Sequence, residues 1–250
     1  MKKRTTASFT WLVSLIVCIA LLTVSAGCSS SNSNNNSGNS SNTNSNSSNS
    51  SNSSNGDNES KTDDLSDIAE EYTLSAGYYT AGIDIPVGKA NVIAVSGSGN
   101  LSSSNMYSGG VNEIFGIDDG SGFYTSEFNN LALAKNVRLK VTSNLVVKLT
   151  YTNIEAGFTG RTYDEDNAIE LTSGNYTAGT DFPAGIYTIN AVSGSGNINS
   201  SNMFSGGLNE VFGVDTSSSI YTDQFINVEL DDGVTLTVSG GLTVKLTPAK

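Results

Sequence analysis

Between Val137 and Leu149 the apolar residues fall on every second position: Val137, Leu139 and Val141 alternate with Arg138 and Lys140, then Leu145, Val147 and Leu149 alternate with Val146 and Lys148. Period-two alternation predicts half-buried strands. The same texture, rich in Tyr, Thr, Val and Ile and punctuated by Gly, runs from residue 72 to residue 247 without any window that sustains an i, i+3, i+4 apolar repeat. Short strands at close spacing predict a sandwich or a barrel. The three residues Thr142-Ser143-Asn144 predict a hairpin loop that sets Val141 opposite Leu145, Leu139 opposite Val147 and Arg138 opposite Lys148. Such loops favour a last residue in the left-handed region, here Asn144 and, at the matching later position, Gly241. Pro86 and Pro183 each predict a turn before a strand, because proline cannot donate to a central ladder.

The pattern is written twice. Leu74 matches Leu171, and that offset of 97 residues holds without a gap to Thr150 and Thr247 with about half the positions identical, which marks a tandem duplication. The expected organisation is all-β, two tandem small β-sandwich or barrel-like domains at 72–150 and 169–247. An acidic connector at 61–71, compatible with a short helix, precedes them, and a second acidic connector occupies 151–168.

The most unusual repeated string is SNMYSGGVNEIFGID, ending at Asp118, and SNMFSGGLNEVFGVD, ending at Asp215. A half-buried strand explains why Ile114/Val211 interchange while Phe115/Phe212 stay apolar. Asn105, Asn112, Glu113 and Asp118 recur as Asn202, Asn209, Glu210 and Asp215. Two readings stand for these eight: short polar side chains bonding backbone in turns, or the rim of a ligand or cation site. Tyr79/Tyr176, Tyr107/Phe204 and Tyr124/Tyr221 also recur; a sugar-binding face needs exposed rings, whereas aromatic rings more often fill a core. Charge separates the copies. Residues 74–150 carry five Lys/Arg and five Asp/Glu, and residues 171–247 carry one and seven. Lys135, Arg138, Lys140 and Lys148 therefore make a candidate face for an anionic polymer in copy one, against the alternative of a solvated face balanced by carboxylates on a neighbouring strand.

Ahead of the strands, Lys2, Lys3 and Arg4 precede an apolar run from Trp11 to Val24, the pattern of a secretory leader. Ser25, Ala26 and Gly27 before Cys28 resemble the lipobox of bacterial lipoproteins, with Ser25 where that family usually has Leu. The resemblance implies cleavage after residue 27 and diacylglycerol on the Cys28 thiol. Residues 28–60 would then be the lipidated cysteine and a disordered tether, since a Ser/Asn tract has no apolar surface to offset the entropy of ordering; 32 such residues span on the order of 30 Å. In copy two, Asp181, Phe182, Pro183, Ala184, Gly185 and Tyr187 resemble a D-[IF]-P-A-G-x-Y signature of uncharacterised exported modules of Gram-positive bacteria. Copy one has Val87 and Ala90 at the Ala and Tyr positions, which suggests that the tyrosine is dispensable there.

Composition removes several chemistries. The chain has no His, and its two Cys are Cys18, inside the leader, and Cys28. Triads built on His, thiolate nucleophiles, disulfides and Cys/His metal sites are thereby excluded from the strand region. No Ser precedes a Lys by three residues, and the loop GIDDGSG lacks the helix-flanked spacing of a calcium hand. No enzyme, cofactor or metal is expected. The formal charge is −12, and loss of Lys2, Lys3 and Arg4 with the leader leaves −15, so nucleic acid is not an expected partner. The expectation is a lipoprotein anchored on the extracytoplasmic face of the cell membrane that acts as a non-catalytic binding or adhesion module, with cell-wall polymer or glycan as partner. The alternatives are a structural spacer without specific ligand and an accessory subunit of an exported enzyme or transporter. Replacing the anchor residue tests the first step: Cys28→Ala should abolish acylation and leave an unprocessed precursor, and acylated protein of normal size from that variant would refute the assignment.

Overall fold

The computed structural model describes residues 70–250 except 216, 218 and 219. The expected leader, Cys28, the tether and residues 61–69 of the first connector lie outside the described residues. The described chain is all-β. Copy one contributes β1 (Glu71–Leu74), β2 (Gly77–Thr80), β3 (Val87–Ser96), β4 (Ser98–Ser103), β5 (Asn112–Gly116), β6 (Glu127–Leu133), β7 (Arg138–Val141) and β8 (Val146–Ala156). Copy two repeats them as β9 (Ile169–Leu171), β10 (Gly174–Thr177), β11 (Gly185–Ser193), β12 (Ser195–Ser200), β13 (Asn209–Gly213), β14 (Gln224–Leu230), β15 (Thr235–Val238) and β16 (Thr243–Pro248).

Each copy is a sandwich of two antiparallel layers, and none of the sheets closes into a barrel. In copy one the layers are β1-β8-β3-β6 and β5-β4-β7-β2; copy two repeats both orders as β9-β16-β11-β14 and β10-β15-β12-β13. Between the layers lie two cores. One includes Leu101, Phe115, Leu139, Val147 and Leu149, the other Ile198, Phe212, Leu236, Val244 and Leu246. All ten of these side chains are fully buried, and burying each contributes roughly 1.5–3 kcal/mol before entropy is set against it.

The expected hairpin at Thr142-Ser143-Asn144 does not form. β7 pairs with β2 and β4, and β8 pairs with β1 and β3. The loop therefore crosses from one layer to the other. Leu139 and Val141 meet Val147 and Leu149 through the core instead of along one sheet, and Arg138 is not opposite Lys148. The left-handed residues are Ser143 (φ 60°) and Gly240 (φ 74°), one position earlier than expected. An inward alternation on both sides of a short loop suits either geometry; the choice is made by the strands that pair with each side.

The two copies are joined by a strand edge. β2 of copy one runs parallel to β14 of copy two, with Gly77 in register with Ile226, and this makes one eight-stranded sheet from β5 to β9. The Ile226 amide donates to the Ala76 carbonyl at 3.1 Å. A Cβ on Gly77 would stand 2.4 Å from Ile226 Cγ1 and 2.8 Å from its carbonyl oxygen, so only glycine admits the approach. Cores cross at this joint: Ala76 and Tyr78 of copy one belong to the second core, and Ile226 packs against the first. The described residues fall in a single compact unit. β8 also runs past Thr150 into the expected connector, whose remainder is fastened to both copies by the Arg161–Asp84 ion pair (2.7 Å) and by Tyr163, which donates to Asn227 Oδ1 at 2.7 Å.

The signature resembling D-[IF]-P-A-G-x-Y proves to be a packing device. Asp181 accepts the Thr177 amide at 2.7 Å, Phe182 is buried, and the Tyr187 hydroxyl donates to the Pro183 carbonyl at 2.5 Å. The tyrosine missing from copy one is relocated, not dispensable. Ala90 sits beside Tyr151 across the β3–β8 ladder, and Tyr151 donates to the Pro86 carbonyl at 2.7 Å; in copy two the same cross-strand pair is Tyr187 and Pro248. One ring and one hydroxyl are needed at this place, from either strand. Tyr151→Ala should accordingly cost about 3 kcal/mol, and adding Ala90→Tyr should recover part of it in denaturant titrations. A further loss of stability on adding Ala90→Tyr would show that the two positions do not exchange.

Candidate functional site

The repeated string forms the β4–β5 and β12–β13 connections, and most of its unvarying letters, with the serine just before it in each copy (Ser103, Ser200), hold the backbone. Ser103 Oγ accepts the Val111 amide at 2.9 Å, and Ser200 Oγ accepts that of Leu208 at 3.0 Å. Asn105 Nδ2 donates to the carbonyls of Ala132 (3.0 Å) and Ser108 (3.4 Å), and Asn202 Nδ2 donates to those of Glu229 (2.8 Å) and Ser205 (3.3 Å). A Cβ on Gly110 or Gly207 would lie 2.2 or 2.0 Å from the serine hydroxyl oxygen. The Ser, Asn and Gly positions thus satisfy a tight loop that has no ladder partners of its own. What the loop carries outward is an aromatic ring: Tyr107 is 93% and Phe204 94% exposed.

The other recurrent polar residues part company. Asp118 accepts the Gly120 amide at 2.9 Å, and Asp215 accepts that of Ser217 at 3.1 Å, both as local turns; the Ser217 hydroxyl, first, and its amide hold the Asp215 carboxyl below its ordinary range. Glu113 is exposed and accepts only a long bond, 3.4 Å, from Thr125 Oγ1. Glu210, its counterpart, is buried at the joint, where it accepts the Ser143 amide at 3.1 Å. Burial pushes its carboxyl above the usual range, against the opposing pull of that amide and of Lys140. Asn209 accepts from Asn197 at 3.2 Å, and Asn112 is exposed. The eight do not make one rim. Among the described residues no three acidic side chains gather as a metal-holding group.

The basic set divides as well. Lys148 pairs with Glu71 at 2.9 Å on the layer away from β7, and Lys135 is exposed in the β6–β7 turn. Arg138 pairs with Glu229 of copy two at 2.7 Å. Its guanidinium lies 4.9 Å from the centroid of Tyr78, and Lys140 Nζ lies 5.2 Å from the same ring. Burial lowers the affinity of Lys140 for its proton; Glu210 works in the opposite sense and Arg138 adds to the lowering. A continuous anionic-polymer face over Lys135, Arg138, Lys140 and Lys148 is therefore not what these residues form. Carboxylates from a neighbouring strand lie against three of them, Glu71 against Lys148 and, from the other copy, Glu229 against Arg138 and Glu210 near Lys140.

Five of the expected residues do meet, together with residues that the sequence did not single out. A groove of about 320 Å³ lies on the outer face of the eight-stranded sheet, lined by Tyr78, Ser102, Met106, Asn112, Arg138, Lys140, Met203 and Phe204. Beyond Met203 and Phe204 it continues into a hollow lined by Lys140, Ser143, Asn209 and Glu210. The groove needs both copies: the β2–β7 face comes from one and the Phe204 loop from the other. The exposed ring recurs as Tyr107, and that recurrence was the available signal for it. Tyr78 had none, because copy two has Asn175 in its place. Comparison with protein-family models, with curated proteins and with solved structures finds no match to the chain.

Because the folded-state pKa of Glu210 is raised, its burial favours the protonated form. The stabilisation is fully present below the unfolded pKa of about 4.3 and is lost as pH rises through the higher folded value. Relative to Glu210→Gln, the wild type should therefore lose stability as pH increases from about 4 to 7. Paired thermal melts across that range check the sign; a flat difference would place the carboxyl in a solvated setting, and an opposite slope would show it held ionised by its neighbours.

Proposed function

We propose that this protein is a membrane-anchored lipoprotein of the bacterial envelope that binds without catalysis and holds a neutral glycan strand in the groove across its joint. One observation carries the reading. Phe204, 94% exposed, stands at the boundary of two hollows whose walls mix apolar and polar side chains and whose charges lie beside opposite charges. A soluble chain gains nothing in stability from a ring in water, whereas a sugar presents a flat C–H face for stacking and hydroxyls for planar partners such as Arg138, Asn112 and Asn209. The internal pairing of Arg138 with Glu229 and the company of Glu210 beside Lys140 leave no net positive field for an anionic polymer, which favours uncharged polyhydroxyl ligands. Attachment follows from the leader and Cys28, and the Ser/Asn tract would hold the groove clear of the lipid surface.

A binding screen of residues 60–250 against neutral cell-wall and capsular glycans, with teichoic acid as the anionic comparison, tests this. Phe204→Ala should weaken binding to the selected glycan about tenfold, near 1.4 kcal/mol, with an unchanged melting temperature because the ring contributes little to the core. Equal binding by that variant, or binding confined to teichoic acid and lost as salt is raised, would overturn the proposal.

A further inference from the structure

The joint uses unlike edges, β2 of copy one and β14 of copy two. Among the described residues the duplication leaves the same two edges unpaired elsewhere, since β10 of copy two and β6 of copy one each end a sheet. A head-to-tail joint of this kind, repeated between chains, would string them into a filament or, where its rotation closes, a ring. We infer that the residues differing between the copies at these edges confine the joint to one place, so that each joint edge accepts the other copy of its own chain and refuses a second chain.

The side chains that make the joint are the ones the free edges lack. Tyr78 is 6% exposed, meets Phe225 edge to face at 5.6 Å, and donates to the Gly207 carbonyl at 2.7 Å. Its own carbonyl accepts Asn227 Nδ2 at 2.7 Å, Arg138 holds Glu229, and Ile226 reaches the first core. At the offset of 97 residues, Tyr78, Arg138 and Lys140 are replaced on the free β10 face by Asn175, Thr235 and Thr237. On the free β6 face Ile226 and Glu229 are replaced by Asn129 and Ala132.

Strand shape, by contrast, is kept. Gly174 stands for Gly77 and Phe128 for Phe225, and Asn130 (φ 61°) repeats the left-handed backbone of Asn227 (φ 59°). Asn175 is turned to its own sheet, accepting from Thr237 Oγ1 at 2.8 Å, and β6 exposes Glu127, Asn129 and Asn130. Docking a second chain would bury Asn175 and Asn129 without the tyrosine, the isoleucine or the ion pair that offset the desolvation of the native joint. The charge difference between the copies thus acquires a role inside the molecule. This inference is independent of the glycan reading.

Sedimentation velocity on residues 60–250 tests it with two half-restored proteins, one carrying Asn175→Tyr, Thr235→Arg and Thr237→Lys, the other Asn129→Ile and Ala132→Glu. The wild type should stay monomeric over an about hundredfold concentration range, and an equimolar mixture of the two variants should form a species of twice the monomer mass. Wild-type association lost on adding charge to β6 or β10, or a mixture of folded variants that remains monomeric, would overturn the inference. Should either variant fail to fold, the native joint supplies a second test. Arg138→Glu and Glu229→Arg should each lower the melting temperature and together restore it; singles without effect, or a pair that does not recover, would overturn the inference equally.

Discussion

Everything distinctive about this molecule depends on how closely two strand edges approach at Gly77 and Ile226. With a bare Cα on one side and an apolar side chain on the other, β2 and β14 come near enough for the Ile226 amide to reach the Ala76 carbonyl. That approach turns two sandwiches into a structure with one continuous eight-stranded sheet. Tyr78 enters the second core as a consequence, and its ring underlies Arg138 and Lys140. Phe204 is brought over the face of copy one, and the groove exists because of it.

Duplication within one chain is a sensitive comparison, because both copies fold under the same conditions and differ only where their surroundings differ. Identity in the SNM[YF]SGG loop and the serine before it reports scaffolding: hydroxyls, amides and missing Cβ atoms that satisfy a backbone without ladder partners. Difference is more informative. The exchange of Ala90 and Tyr151 for Tyr187 and Pro248 shows one packing requirement met from opposite strands. The exchange of Tyr78 and Arg138 for Asn175 and Thr235 marks which edge is joined and which faces water.

The groove and the joint also place limits on each other. Burial of Glu210 and the lowered proton affinity of Lys140 are costs of bringing the copies together, and such costs are tolerated where opposite charges and hydrogen bonds lie alongside. The resulting wall mixes apolar and polar side chains, with Phe204 and Met203 as its ridge and its charges set beside opposite ones. A ligand matched to it needs faces of both kinds, and the proposed glycan strand is one such ligand.

Periodicity and repetition determined the all-β class, the two copies and the inward residues of β7 and β8, because side-chain alternation and Gly placement are local properties that any sheet partner must respect. The constant offset also singled out Tyr107 and Phe204 as a matched pair, though not that they face water. Which strand pairs with which was decided only by the tertiary structure. Val137 to Leu149 would alternate identically in a hairpin or in a crossing between layers, and the difference lies in β2 and β3, some 50 to 60 residues earlier in the chain. The joint was equally hidden, since Arg138 meets Glu229, and Tyr78 meets Phe225 and Asn227, across separations that no local pattern records. A cluster of basic residues in sequence is therefore not a basic surface. Its charge is defined by what the fold lays against it, and here the fold lays a carboxylate of the acidic copy against the basic strand of the other.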